Sequence, residues 1–368
     1  MAVRFVLVGG FLGAGKTTTL ARLARHYHSQ GKRVGIVTND QADSLVDTAM
    51  LQRQGWNVEE VAGACFCCRF DELVQRLESL AQTARPEVIL AEPVGSCTDL
   101  AATVIQPLRH LYPQQVQVAP YVVLFKPSHG QRILRGEPAG GFSPKAAYIF
   151  CKQLEEADAI ALNRIDELTP SQRQELVQLV RHRFPHKPLL SLSARTGEGF
   201  HALIELLEQQ GQFGQHLLDI DYDVYAAGEA ELGWLNATTR WQAEQPVPLD
   251  TLVQAVVQQL ADVCRVHKAE IAHLKGIGWD ESGAYAVANV VSNDGASQLS
   301  LSSGAWTPQA ELIINARVAT DPTWLAEQLH AVLSEQGQRW NAQVEIVRQR
   351  TLRPGRPVPT YRYSQVQA

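Results

Sequence analysis

From residue 1 to about 210 the chain alternates short apolar runs with stretches whose apolar positions recur every three to four residues. Strands covered on both faces read as continuous Val/Ile/Leu-rich runs, so the pattern predicts buried parallel strands joined by amphipathic helices. Strands are expected at 3–8, 33–38, 58–62, 87–91, 117–124, 158–163 and 188–192, and helices at about 16–30, 71–84, 98–111, 144–156, 170–183 and 199–210. Gly31 reads as the C-terminal cap of the first helix, and Pro86 separates the next helix from its strand. The fold class of this half is α/β, a mostly parallel, doubly wound sheet.

Residues 211–221 are polar and rich in Gln and Gly, the composition of a domain boundary. From 222 the order changes to strand (222–241), helix (249–263), two strands (268–279, 284–292), strand (311–318), helix (322–335) and strand (344–351). That is the order of a smaller ferredoxin-like α+β domain, with one or two further strands near 298–306. The expected division is 1–212, 222–353 and a tail at 354–368.

The 368 residues are 45% hydrophobic and 19% charged, ordinary for a globular protein with two cores. The net charge of -5, without a Lys/Arg block in the body of the chain, excludes broad nucleic-acid binding. The basic stretch Arg348 to Arg356 reads as a solvated strand and turn. No apolar run reaches the ~18 residues of a membrane span, so no membrane partner is expected. Met1 leads directly into the first strand, from which no leader and a cytoplasmic location are expected. Six cysteines in a chain of this length do not make a disulfide framework.

Between the first strand and first helix stands Gly10-Phe-Leu-Gly13-Ala14-Gly15-Lys16-Thr17, the spacing G-x-x-x-x-G-K-T. Backbone N–H groups from Gly10, Gly13, Ala14, Gly15 and Thr18 would surround phosphate at a helix N-terminus. Lys16 would reach the β/γ oxygens, and the Thr17 hydroxyl would hold Mg²⁺. This makes the first half a P-loop nucleotide-triphosphate domain. Asn163-Arg164-Ile165-Asp166 follows an apolar strand in the form of the guanine-selecting N-K-x-D element, with Arg164 in place of Lys. Asp166 can accept from the guanine N1–H and amine, whereas adenine would leave it unpaired. Ser193-Ala194-Arg195 resembles the loop that closes over guanine. GTP/GDP is therefore expected over ATP.

Glu92-Pro93-Val94-Gly95 ends a buried strand, where a carboxylate can hold the water shell of Mg²⁺ and Gly95 N–H can sense the γ-phosphate. Lys16, Thr17, Glu92 and Gly95 are the catalytic candidates. Asp40, Asp43 and Asp47 cluster after the second strand, either as a solvated turn or in a metal role.

Cys65, Cys67 and Cys68 lie within four residues in Gly63-Ala-Cys-Phe-Cys-Cys68. In an extended segment Cys65 and Cys67 project to one side, and the third thiol needs a turn to join them. A thiolate pair favours Zn²⁺, Cu⁺ or Co²⁺ over Mg²⁺, with other ligands such as Asp40 or Asp43 completing a tetrahedron. Cys151 and Cys264 lie on apolar helix faces and read as core; Cys97, just past Glu92, is left open. His267 and His273 read as core or solvated.

G-G-F-L-G-A-G-K-T-T, T-N-D, G-A-C-F-C-C, E-P-V-G and N-R-I-D, in that order and followed by a smaller domain, resemble the CobW-like P-loop GTPases. The match covers the whole N-terminal domain, and the C-terminal half in architecture. The resemblance implies a slow Mg²⁺-dependent GTPase of the SIMIBI class, acting as a metallochaperone. It implies a transition metal on Cys65, Cys67 and Cys68, Zn²⁺ ahead of Co²⁺ or Ni²⁺, with Asp40 and Asp43 where glutamates are frequent in the family. It implies a metalloprotein client, or a corrinoid-protein client by the wording of the cysteine and Glu92 segments, and a homodimer is a candidate assembly. The chain departs from the family at Phe125-Lys126-Pro127 and lacks a His-rich tract, departures that suggest a dedicated client. The rival functions are a GTPase switch with structural cysteines, its partner read by the second domain, and GTP-driven insertion of metal into a tetrapyrrole.

Overall fold

The apolar runs of the first half assemble as one sheet. The computed structural model describes residues 2–41, 45–136, 143–293 and 295–366, so Asp43 lies outside the described residues. Within Met1–Gln41, Trp56–Tyr225 and Arg356–Ala368 these form one compact unit; those of Ala42–Gly55 and Ala226–Gly355 form another. Among the described residues no helix is long and apolar enough to cross a membrane.

The first unit contains β1 (Val3–Gly10), α1 (Lys16–Ser29) and β2 (Val34–Asp40); the chain then gives α2 (Val46–Arg53) to the second unit and returns with β3 (Asn57–Ala62). There follow α3 (Phe70–Thr83), β4 (Val88–Glu92), a π-helical turn (Ala101–Ile105), α4 (Gln106–Leu111), β5 (Val116–Val118), β6 (Val122–Phe125), α5 (Pro127–Leu134) and α6 (Pro144–Glu156). The unit continues with β7 (Ala159–Leu162), α7 (Pro170–Arg183), β8 (Leu189–Ser191) and α8 (Phe200–Leu207), and α9 (Tyr222–Glu229) leads out of it. The eight-stranded sheet runs β3-β2-β4-β1-β6-β7-β8, with β5 also on β1, and its pairs are parallel. Because β1 lies between β4 and β6, the loop after it opens at the point where strand order reverses, the place where open α/β sheets bind ligands.

The second unit contains β9 (Gly233–Pro248), α10 (Leu249–Val266), β10 (Ile271–Trp279), β11 (Tyr285–Val290), β12 (Gln298–Leu301), β13 (Trp306–Val318), α11 (Pro322–Arg339) and β14 (Ala342–Leu352). Its antiparallel sheet has the order β12-β11-β10-β13-β9-β14, so β10, β13, β9 and β14 make the ferredoxin-like set and the β11–β12 hairpin extends the sheet beyond β10. Leu274, Leu312 and Ile314 face α10 and α11 in the core. Lys275 and Asn315 alternate to the opposite side, which α2 covers. There the buried Val46 N–H donates to Asn315 Oδ1 at 2.8 Å, Asp47 pairs with Lys275, and the Arg53 guanidinium lies 4.1 Å from the Trp279 ring centroid.

Several expected elements differ. The strand expected at 117–124 is broken at Ala119-Pro120: Pro120 has no N–H to donate, and β5 and β6 pair with successive parts of β1. The helix expected from 98 begins later, because Asp99 is left-handed (φ 65°). Residues 222–229 are helical rather than the start of a strand, because Asp221 Oδ1 accepts from the Asp223 and Val224 N–H groups and caps the turn. The short helices α2 and α5 have no counterpart in the expected order.

Asn315→Ala would leave the Val46 N–H buried without that acceptor, at a cost of about 1–3 kcal/mol. Amide hydrogen exchange across Val46–Arg53 is expected to accelerate; unchanged protection there would contradict the assignment.

Candidate nucleotide and metal site

The phosphate loop is shaped by its glycines and by one buried charge. Gly15 has φ 93° just ahead of α1, and a Cβ there would meet Asn163 Nδ2 at 2.3 Å, so the position is closed to side chains. Lys16 is only 7% exposed; its Nζ donates to Gly10 O at 3.0 Å and lies 4.0 Å from Glu92 Oε1. The Thr17 hydroxyl donates to the same Glu92 oxygen at 3.1 Å. Gly95 stands against this group: a Cβ on it would lie 3.1 Å from Lys16 Nζ and 2.7 Å from Leu12 Cδ2. The tip of β4 is therefore in direct contact with the phosphate loop.

At the base-binding end, Asn163 joins three loops. Its amide donates to Ala14 O at 2.8 Å, and its oxygen accepts from Arg164 N at 2.8 Å and Ala194 N at 2.9 Å. Arg164 is left-handed and its Nε donates to Glu167 Oε1 at 2.8 Å. Partial burial pushes the Asp166 carboxyl up, but the Ser193 hydroxyl and the Arg195 guanidinium outweigh it and hold the group below its usual value. Arg22, on α1, donates to the carbonyls of Ala194 and Arg195, each at 2.7 Å. Nothing in the local sequence marks Arg22 for this role.

The cysteine segment is a turn rather than an extended run: the N–H groups of Cys68 and Arg69 both donate to Cys65 O at 3.0 Å. That turn brings in the third thiol. Cys65 Sγ is 2.7 Å from Cys67 Sγ and 3.2 Å from Cys68 Sγ, and Cys67 and Cys68 are 3.8 Å apart. Cys65 and Cys67 are buried and Cys68 is half-buried. The hydrogen bonds with Cys67, Cys68 and Cys97 hold the Cys65 thiol well below its usual value, whereas the hydrogen bond with Cys65 pushes Cys68 up to about 11. Cys65, Cys67 and Cys68 are the converging set of metal-ligating atoms among the described residues. Asp40 is not in that set; its Oδ1 accepts from Gln41 N at 2.6 Å and its carbonyl from Gly63 N at 3.1 Å. Asp47 is committed to Lys275 in the second unit, where His267 also stacks on Trp324 with ring centroids 4.0 Å apart.

Three supports of this site lie outside the site residues read from the sequence. Asn39, 5% exposed, donates to Val61 O and Ala64 O at 2.9 and 2.8 Å and accepts from Phe66 N at 2.8 Å, gripping the cysteine turn from both sides. Gln153, on α6, donates to Gly95 O at 3.0 Å and Cys97 O at 2.7 Å, and Glu156 one turn later accepts from Thr98 Oγ1 and Ala101 N. The C-terminal segment crosses the turn as a strap. Val358 N–H donates to Cys68 Sγ at 3.3 Å, Thr360 N–H to Cys67 O at 2.8 Å, and Arg362 Nε to Asp99 Oδ2 at 2.7 Å. Beside Cys68 a groove of about 460 Å³, lined by Arg69, Asp71, Glu72, Gln75, Arg76 and Thr360, opens to solvent.

A phosphate loop on a reversing parallel sheet, with the Asn163 and Ser193 loops around its base end, defines a P-loop nucleotide-binding protein. Residues 4–190, just over half of the chain, match the model for the CobW/HypB/UreG nucleotide-binding domain, and the chain belongs to that family. It is 28% identical over 177 residues to the zinc chaperone YeiR of Escherichia coli (strain K12), covering 46% of this chain and 49% of that one. It is 27% identical over 193 residues to the zinc chaperone CobW of Pseudomonas aeruginosa, covering 44% and 48%. The chain thus spans about half the length of these curated relatives. The solved structure of the hydrogenase maturation factor HypB from Archaeoglobus fulgidus aligns over 56% of this chain and 88% of its own at 16% identity and a TM-score of 0.40.

Burial pushes the Glu156 carboxyl up to about 8 from 4.5. The stability of its neutral form is fully present below pH 4.5 and is lost as pH rises through about 8. Glu156→Gln is expected to flatten that decline, so the melting temperature of the variant minus that of wild type should rise from pH 4.5 to 8, whatever its sign at pH 4.5. A difference that is constant or falls would show that the carboxyl is not held neutral.

Proposed function

We propose that this protein is a Mg²⁺-dependent GTPase that carries a transition metal, Zn²⁺ first, to a metalloprotein client and gates the transfer by nucleotide state. The observation that carries the reading is the thiol cluster on the β3–α3 loop, in the same unit as the phosphate loop. The names of the relatives, zinc chaperones, support the choice of metal.

In this reading Lys16 and the backbone N–H groups of residues 13–18 offset phosphate charge. The Thr17 hydroxyl and Glu92 carboxylate, hard oxygen donors 3.1 Å apart, suit Mg²⁺. When bound, that ion neutralises charge developing on the β- and γ-phosphate oxygens. Asp166 accepts from guanine, and Asn163 keeps the base loops in register with the phosphate loop. Arg22, Arg164 and Arg195 are engaged by local carbonyls and carboxylates, which supports a slow intrinsic turnover. The γ-phosphate is read by Gly95, whose position against Lys16 passes its presence into the segment beyond. Cys65, Cys67 and Cys68 bind the cargo ion as thiolates.

Two measurements test the reading. GTP hydrolysis should fall to background in Lys16→Ala. Zn²⁺ affinity, measured by chelator competition with a GTP analogue, GDP or no nucleotide, should change by about tenfold or more between nucleotide states, roughly 1.4 kcal/mol of coupling. Hydrolysis without metal uptake in any state would replace the carrier with a GTPase switch whose cysteines are structural.

A further inference from the structure

We infer that Cys68 is the exchange ligand of the thiol site: a cargo ion enters and leaves at this sulfur, through the groove beside it, and the C-terminal strap sets the rate. This rests on the metal-carrier reading above and adds to it the place and manner of the hand-over.

The three thiols differ in how they can be reached. Cys65 and Cys67 are 3% and 2% exposed, whereas Cys68 is half-buried and lines the groove of about 460 Å³ that opens to solvent along the start of α3. A donor arriving from outside therefore meets Cys68 first. The anchoring of the turn differs in the same sense. Its front is gripped from inside by buried Asn39, which donates to Ala64 O at 2.8 Å and accepts from Phe66 N at 2.8 Å. Its far end is held from outside by the strap. Val358 N–H donates to Cys68 Sγ at 3.3 Å, Thr360 Oγ1 to Cys68 O at 3.3 Å, and Thr360 N–H to Cys67 O at 2.8 Å. Thr360 also lines the groove, so the strap forms part of the wall at the entrance to Cys68.

The strap is fastened by contacts that are individually weak. Beyond the turn, Arg362 Nε donates to Asp99 Oδ2 at 2.7 Å, Tyr363 N–H to Ala102 O at 3.0 Å, and the Tyr361 ring stands edge-on to Phe70 with centroids 5.3 Å apart. Val358, Thr360 and Arg362 are exposed, so little apolar surface is lost when the strap lifts. The acceptor this entrance fits is an exposed segment that offers a thiol or an imidazole, donors that suit Zn²⁺. With a thiol, the incoming sulfur bonds the ion as the bond to Cys68 breaks, and the proton of the incoming thiol passes to Cys68. No electron is transferred. Cys65 and Cys67 keep hold of the ion during that first exchange, because their positions are fixed by the interior.

The test uses the full reduced chain loaded with one equivalent of Zn²⁺. After a brief pulse of N-ethylmaleimide, non-denaturing mass spectrometry should find that the first cluster thiol is labelled while zinc is still bound. Peptide mapping should place that label on Cys68, with Cys151, outside the cluster, scored separately. A first label on Cys65 or Cys67, or loss of zinc before any cluster thiol is labelled, would overturn the assignment, and this measurement needs no variant to fold. The strap is tested by stopped-flow transfer to and from the chromogenic chelator pyridylazoresorcinol. Thr360→Pro removes both donors of residue 360, and Arg362→Ala loosens the strap away from the sulfurs. Each should speed zinc uptake and release alike, by about tenfold, and so leave the affinity within about threefold of wild type. Unchanged rates in both variants, or weaker binding without faster uptake, would overturn the gating role. Wild-type protein that takes up no zinc would remove this inference together with the carrier reading, whereas zinc uptake with Cys65 or Cys67 labelled first would leave the carrier standing.

Discussion

A buried ammonium organises the nucleotide end of this molecule. Removing Lys16 from water costs several kcal/mol unless its charge is met, and Gly10 O and Glu92 meet it. Those partners lie at the ends of two neighbouring strands, β1 and β4, so the position of one side chain depends on how the two strands pair. Thr17 shares the Glu92 oxygen, and a side chain at Gly95 would run first into Leu12 and then into Lys16. The tip of β4 therefore lies in contact with the ammonium side chain of the phosphate loop.

From that tip the chain passes within six residues from hard-oxygen chemistry to sulfur chemistry. Glu92 accepts from Thr17 of the phosphate loop, and Cys97 is buried five residues further on. Between them Gln153 ties both Gly95 and Cys97 to α6, so the two ends do not float independently. Asn39 performs the equivalent service on the other side of the site, binding the end of β2 to the cysteine turn. Two buried amides thus tie together loops that carry different chemistry, Asn39 by donating and accepting and Gln153 by two donations to backbone carbonyls.

What could be read from the sequence follows from how local each signal is. The phosphate loop, the Asn163 loop and the thiol triplet are written in consecutive residues, and the β-strands of the first half are continuous apolar runs. Asn39, Gln153 and Arg22 act through partners 22 to 173 positions away, which no local spacing announces. Helix α2 is eight residues long and depends on Asn315 and Lys275, so local periodicity gives no sign of it. The same holds for 222–229, whose Tyr, Val and Ala content suits a strand until Asp221 is recognised as a cap.

The strap over the cysteine turn has a consequence for biosynthesis. Val358, Thr360 and Arg362 leave the ribosome after every other described part of the site, separated from Cys65 by nearly the whole second unit. A nascent chain can present its thiols long before Cys68 receives its N–H donor and the turn is covered. The sulfur cluster is consequently open through most of synthesis and is covered only once these residues emerge, so that the order of translation itself separates a stage of bare thiols from a stage of shielded ones.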